Sequence, residues 1–81
     1  MDDKEIGEVI IKIIHQAMET NIEIELNNRL EEIRINSMSF VKIIVGIESY
    51  FDLNFEDDKL SISYFNTVMD LVHYTLYLIN Q

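Results

Sequence analysis

Apolar residues recur at helical intervals in three stretches of this chain. In the first, Ile6, Val9, Ile10, Ile13, Ile14 and Ala17 fall on one side, and Lys4, Glu5, Glu8, Lys12 and Gln16 on the other. That spacing predicts an amphipathic helix over about 3–19. In the second, Val41, Ile44, Ile47 and Phe51 stand at i, i+3, i+6 and i+10 and predict an inward face, with Phe40 and Ile43 flanking it. Met38, Lys42, Val45, Ser49 and Tyr50 then look outward or lie at the margin. Asn36 is a good N-cap and Ser37 falls in the first turn, so this helix is expected from 37 to about 51. In the third, Val68, Leu71, Val72, Leu76 and Ile79 form the apolar face of a helix capped by Asn66 or Thr67 and running to about 80.

The connectors carry less pattern. Residues 20–34 are mostly polar, and Ile22, Ile24 and Leu26 alternate with Glu23 and Glu25. Alternation of that kind suits a strand, but one isolated strand has nothing to pair with. The reading adopted is an extended loop whose Ile24, Leu26, Leu30 and Ile33 plug the core. Ordered loops this long usually serve a function. After the second helix, the acidic stretch Glu56, Asp57, Asp58 and Lys59 leads into a short turn of helix ending near Ser63 or Tyr64. Proline is absent, and the two glycines, Gly7 and Gly46, both sit inside helical patterns. Helices joined by polar loops fit better than a sheet with tight turns. No repeat, low-complexity tract or composition shift divides the chain, so residues 1–81 are expected to form a single all-α domain. A chain this short buries roughly 60–65% of its unfolded surface, so its core is modest.

Charge narrows the function classes. Six Lys and Arg stand against fifteen Asp and Glu, for a formal charge of −9. Nucleic acid is excluded, because binding it requires Lys and Arg to displace counterions. An anionic membrane surface is disfavoured for the same reason. Protein partners with basic patches are favoured, with encounter steered by charge. There is no cysteine, which removes disulfides, thiolate catalysis and cysteine metal sites. The acidic N-terminus is not a secretory signal. The apolar run over 68–79 is too short for a membrane span and contains Asp70 and His73. A cytoplasmic monomer is expected.

Few residues suggest chemistry. The start at Asp52, Asn54, Glu56 and Asp57 has no glycine at the sixth position of a calcium loop, and Ser63 stands where the twelfth-position Glu belongs. No metal site is expected. His15 and His73 lie on different predicted helices, and no acid, base and nucleophile converge, so the chain is not expected to be an enzyme. Tyr64, Tyr74 and Tyr77 at helical spacing read as packing, since no basic groove accompanies them. Ser37 is different. A small hydroxyl at the mouth of a helix meets free N–H groups and the positive end of the helix dipole, a place that holds phosphate well.

The run from Ile35 to Phe51 resembles the modification site of acyl and peptidyl carrier proteins. In that family a serine within Asp-Ser-Leu or Asp-Ser-Met opens the second helix and bears 4′-phosphopantetheine, taken from coenzyme A. Here the triplet is Asn36-Ser37-Met38, followed by the apolar stripe, Glu48, and Phe51 before Asp52. The match in order and spacing extends over about 30–65. The resemblance implies a small four-helix bundle of the acyl-carrier type, with a long first loop and a short third helix. It implies Ser37 as the attachment residue, and Asn36 and Met38 at the contact with a phosphopantetheinyl transferase. It places Met38, Lys42, Val45, Glu48, Glu56, Asp57 and Asp58 where partner enzymes dock: a ligase or adenylation enzyme that loads the acyl or aminoacyl group, and synthases or transferases with basic patches. Two departures stand out. Asn36 replaces the family's Asp, keeping the cap and losing the carboxylate that helps bind the transferase and its metal. Arg34 stands where many members have Gly. The pairing of Ser37 with Met38, and of Phe40 with Ile43, is similar to freestanding carriers of peptidyl, polyketide or D-alanine units. A housekeeping fatty-acid carrier, and a degenerate carrier-like module that binds a basic partner without a prosthetic group, are the alternatives.

Overall fold

Each of the three apolar stretches becomes an α-helix in the computed structural model, which describes residues 2–81. Helix α1 spans Asp3–Met18, α2 spans Ser37–Phe51 and α3 spans Val68–Ile79. All three open with a reciprocal capping box, in which the N-cap side chain and the N3 side chain accept from each other's backbone N–H. The pairs are Asp2 with Glu5, Asn36 with Ser39, and Thr67 with Asp70. Glu19 (φ 52°) ends α1 and Asp52 (φ 54°) ends α2, both in the left-handed conformation that turns the chain out of a helix.

The core gathers one face of each helix. From α1 come Ile6, Ile10, Ile13 and Ile14; from α2 Phe40, Ile43, Ile44 and Ile47; from α3 Val68, Leu71 and Val72. Helix α1 packs against both other helices. Burying each such side chain contributes about 1.5–3 kcal/mol relative to exposure. Two assignments change. Val41, expected inside, is 54% exposed, and Phe40 and Ile43 are the buried residues. The inward face of α2 is therefore rotated by about half a residue's turn from the expected one. Ile79, expected on the buried face of α3, is 38% exposed, while Thr75 is fully buried. Four residues on from Leu71 and three from Val72, Thr75 continues the same stripe, which its hydroxyl concealed from a reading by hydrophobicity.

The long connector closes the bundle as expected. Ile24, Leu30, Ile33 and Ile35 are buried from it, and Leu26 is half-buried. It forms no strand; one isolated antiparallel bridge joins Arg29 to Thr67. That bridge has a structural purpose. Val68 N–H donates to Asn28 O (3.0 Å) and Met69 N–H to Leu26 O (2.8 Å), so the connector satisfies the first turn of α3. Leu30 N–H returns a bond to Asn66 O at 2.9 Å.

The expected short third helix is instead two single 3₁₀ turns, Asp57–Lys59 and Ile62–Tyr64. Ser61 interrupts them and caps the second, its Oγ accepting from Ser63 N–H. A segment containing Ser61, Ser63 and a run of acids has little to propagate a longer helix. Phe55 and Phe65 anchor this segment in the core, in ring contact with each other and with Tyr74 of α3. The Tyr74 hydroxyl donates to Glu56 Oε1 (3.3 Å) and accepts from Glu56 N–H (3.4 Å). Burial holds the Tyr74 phenol above its ordinary value, the charges of Glu56 and Asp58 add to the rise, and the bond from the Glu56 backbone works against it.

Close approach explains both glycines. A Cβ at Gly46 would lie 2.7 Å from Ile13 Cγ2, so its absence lets α1 and α2 meet. A Cβ at Gly7 would lie 2.7 Å from Leu26 Cδ2, where the connector crosses α1. Among the described residues no helix is long and apolar enough to cross a membrane.

Candidate cofactor-attachment site

Asn36 and Ser39 together define where α2 begins. Asn36 Oδ1 accepts from Ser39 N–H at 2.9 Å, and Ser39 Oγ accepts from Asn36 N–H at 3.0 Å. The Asn36 carbonyl takes the Phe40 N–H at 2.8 Å, the first bond of the helix. Buried Ile35 and Phe40 tether this start to the core from both sides. Ser37 is then the first residue of α2, and it is exposed. The cap is completed without its hydroxyl, which leaves that oxygen available to solvent. Ser39 is the site residue that the sequence reading passed over; its place three residues after the N-cap is the signal for a capping box.

The electrostatics suit a phosphodiester. The first turns of α1 and α3 contain carboxylates: Asp3 and Glu5 in one, Asp70 in the other. That of α2 contains none. An anion attached at Ser37 would meet the positive end of the helix dipole and the first-turn N–H groups without a like charge beside it. The residues present therefore fit a phosphopantetheine group on Ser37, and Asn36 supplies the cap without adding charge.

Arg34 precedes the site with φ 68°, in the left-handed region. Side chains other than glycine adopt that conformation at a cost of roughly 1–2 kcal/mol. The backbone here calls for glycine, and this chain meets the requirement with Arg.

The expected docking residues divide by location. Met38 (74% exposed) and Val45 (57%) lie on the outer face of α2 with Lys42, as anticipated, and Val41 joins them. Glu48 is half-buried and its Oε2 accepts from Phe55 N–H at 2.8 Å, which holds the turn after α2. Glu56, Asp57 and Asp58 are exposed at the first 3₁₀ turn, with Glu56 bonded to Tyr74. His15 Nε2 lies 2.7 Å from Ile22 O, and His73 Nε2, midway along α3, lies 3.9 Å from Asp3 Oδ2. Neither approaches Ser37 in any recorded contact. Among the described residues no group of three His, Asp or Glu is placed to hold a metal.

Residues 8–75 match the family described as the phosphopantetheine attachment site. This chain belongs to that carrier family. The carrier is 30% identical over 79 residues to an acyl carrier protein homolog of Mycoplasma pneumoniae, covering 91% of this chain and 92% of that one. A second acyl carrier protein homolog, from Mycoplasma genitalium, is 33% identical over 58 residues, covering 65% of this chain and 69% of that one. The fold superposes on the crystal structure of an acyl carrier protein from Thermotoga maritima with a TM-score of 0.83 at 21% identity, covering 99% of this chain and 93% of that one. The likeness read from the run Ile35 to Phe51 and its spacing thus leads to the right family and fold. As a member of that family the carrier presents substrates to enzymes and is not itself one, and phosphopantetheine is its cofactor.

Proposed function

We propose that Ser37 is the residue of this carrier that bears phosphopantetheine, and that the carrier serves a specialised acyl or aminoacyl pathway in the cytoplasm. The observation that carries the first part is an exposed serine at the first position of α2, inside the span that matches the attachment-site family. In the loading step a transferase delivers coenzyme A to the mouth of α2. The Ser37 oxygen attacks the phosphorus on the pantetheine side of the pyrophosphate, the P–O bond to the nucleotide half breaks, and the hydroxyl proton passes to a base on the transferase. When attached, the group supplies a terminal thiol on which an acyl unit is carried as a thioester. The chain's own contribution is positional. Asn36 and Ser39 fix the helix start, the dipole accommodates the new negative charge, and the buried neighbours Ile35 and Phe40 keep the attachment point rigid while everything beyond it is free to swing.

A specialised pathway is supported by the departures on α2. Asn36 in place of Asp, and Lys42 on the outer face, alter the surface that shared transferases and synthases would read, as suits an enzyme set of its own. Incubation with coenzyme A and a broad-specificity phosphopantetheinyl transferase, followed by intact-mass measurement, should show the gain of one phosphopantetheine that Ser37→Ala abolishes. No gain with several transferases would overturn the assignment. For the pathway, carrier isolated from its own cells should bear aminoacyl, peptidyl or polyketide units; a ladder of saturated fatty acyl chains would instead mark a housekeeping role.

A further inference from the structure

Resting on the carrier reading, we propose that Arg34 grips the phosphodiester through which the arm hangs from Ser37, and so fixes the direction in which the arm leaves α2. A conflict at one residue prompts this. Arg34 holds φ 68°, where glycine sits without strain and arginine does not. No contact in the fold offsets that strain. Arg34 is exposed, and among the described residues it makes no ion pair. Strain kept without a structural return points to a task outside the fold. The backbone there is nevertheless fixed. Arg34 N–H donates to Glu31 O at 3.1 Å, and the N–H groups of Ile33 and Ile35 both donate to Leu30 O, at 3.2 and 3.1 Å. Ile33 and Ile35 are buried, so the residue between them is turned outward, and Asn36 and Ser37 that follow are exposed too. From Arg34 to Ser37 the chain spans at most about 11 Å. A long arginine side chain and a phosphate carried beyond Ser37 Oγ close that gap from either end.

Charge sets the chemistry of the ligand. On a chain of net charge −9, no acid stands between Glu32 and Glu48, and the charged residues of that stretch are Arg34 and Lys42. The two acids just before Arg34 are both engaged by Arg29. Its guanidinium lies 2.8 Å from Glu31 Oε1, and its N–H donates to Glu32 Oε1 at 2.7 Å. Arg34 is thereby left as a cation beside a helix start that has no carboxylate in its first turn. That pattern suits an anion, and the anion that phosphopantetheine brings to Ser37 is a phosphodiester with two free oxygens. A guanidinium meets two such oxygens with parallel N–H donors, which an ammonium does not. Lys42 lies five residues further along α2, turned about 140° around the axis from Ser37. The task therefore falls to Arg34. A phosphate held at a fixed donor loses rotations at the root of the arm and leaves the rest free, which concentrates the thiol on one side of the carrier.

Apo and holo forms of the full chain, as wild type, Arg34→Gln, Arg34→Lys and Lys12→Gln, test this. Intact mass establishes loading, and melting temperature and the phosphorus NMR resonance of the holo forms are read at about 50 mM NaCl. The holo-minus-apo change in melting temperature should be about 2–6 °C more positive in wild type than in Arg34→Gln. The left-handed strain is the same in both forms of that variant and cancels. Arg34→Lys should keep about half of the difference, since it retains the charge and loses the fork. Lys12→Gln removes one exposed charge from α1 and should match wild type to within about 1 °C. The phosphorus resonance of wild type should differ from that of the urea-unfolded holo chain. It should move towards that value in Arg34→Gln, and in wild type when NaCl is raised to about 500 mM. Equal holo-minus-apo changes in wild type and Arg34→Gln overturn the proposal, as does a loss in Lys12→Gln as large as in Arg34→Gln. A wild-type resonance indifferent to salt overturns it without any variant. Each of these results, obtained on protein loaded at Ser37, sinks the role of Arg34 and leaves the carrier reading standing. A wild-type chain that gains no mass sinks the carrier reading, and the grip falls with it.

Discussion

Three residues within one turn make up the proposed site, and each has a separable duty. Ser37 offers the oxygen, Asn36 fixes the helix start, and Ser39 completes the cap. Ser37→Ala should therefore remove loading while shifting stability by no more than about 0.5 kcal/mol, the usual range for an exposed position free of cap duty. Asn36→Ala should cost about 1 kcal/mol through the lost cap, or roughly 4–8 °C in melting temperature for a domain of this size. Asn36→Asp keeps the acceptor, adds a charge at the favourable end of the dipole, and should gain about 0.3–1 kcal/mol. It should also load faster with a broad-specificity transferase. A slower rate would show that the partner surface is adapted to the amide. Arg34 supplies a further test. Arg34→Gly relieves the left-handed strain but frees the unfolded chain, which returns about 0.4–1 kcal/mol. The net should be a small stabilisation, of the order of 0.5 kcal/mol, seen as a higher denaturation midpoint at unchanged slope. The exposed serine was legible from its place after Asn36. The conformation of Arg34 was not, because nothing in an arginine announces positive φ; only the family's preference for Gly there pointed to it.

At the level of elements, helix boundaries were legible and the rotation of α2 was not. Its start and end are at 37 and 51 as the pattern indicates, because Asn36 and Asp52 punctuate it chemically. Its face was misjudged because Met38, Val41 and Val45 make the outer side apolar too, so that hydrophobic periodicity is weak there. Met38 and Val45 are also residues that the family resemblance places where partners dock, and local rules are expected to conflict at such places. The short turn ending near Ser63 or Tyr64 was legible, but its division into two 3₁₀ turns was not, because three-residue elements leave no periodic trace. Packing between elements yields two opposed predictions for the glycines. Gly46→Ala sets a methyl 2.7 Å from Ile13, a stiff side chain buried between α1 and α2. Overpacking of about 1–3 kcal/mol outweighs a helix-propensity gain of about 1 kcal/mol, so the variant should lose stability. Gly7→Ala meets the end of half-buried Leu26, which can turn aside, and should be close to neutral. Denaturant melts that reversed this order would refute the packing account. Thr75, fully buried on α3 with no hydrogen-bond partner for its Oγ1, adds a third case. Thr75→Val removes an unsatisfied oxygen at nearly constant shape and should stabilise by about 1 kcal/mol or more.

Across the whole molecule, charge acts on folding and on recognition in different ways. A net charge of −9 on 81 residues repels itself in the compact state. Little in the structure offsets it: Arg29 pairs with Glu31 at 2.8 Å, both exposed, and His73 stands 3.9 Å from Asp3, also exposed. Surface pairs of this kind contribute about 0–1 kcal/mol. Added salt thus has much repulsion to screen and little attraction to weaken. The melting temperature should climb as NaCl is raised from about 10 to about 500 mM, most steeply at the low end, where the Debye length shrinks from about 30 Å towards the spacing of neighbouring carboxylates. A melting temperature that fell with salt would mean that ion pairs hold this fold. If salt steadies the fold while leaving partner affinity level, the acidity of the chain belongs to its solubility and folding and not to recognition.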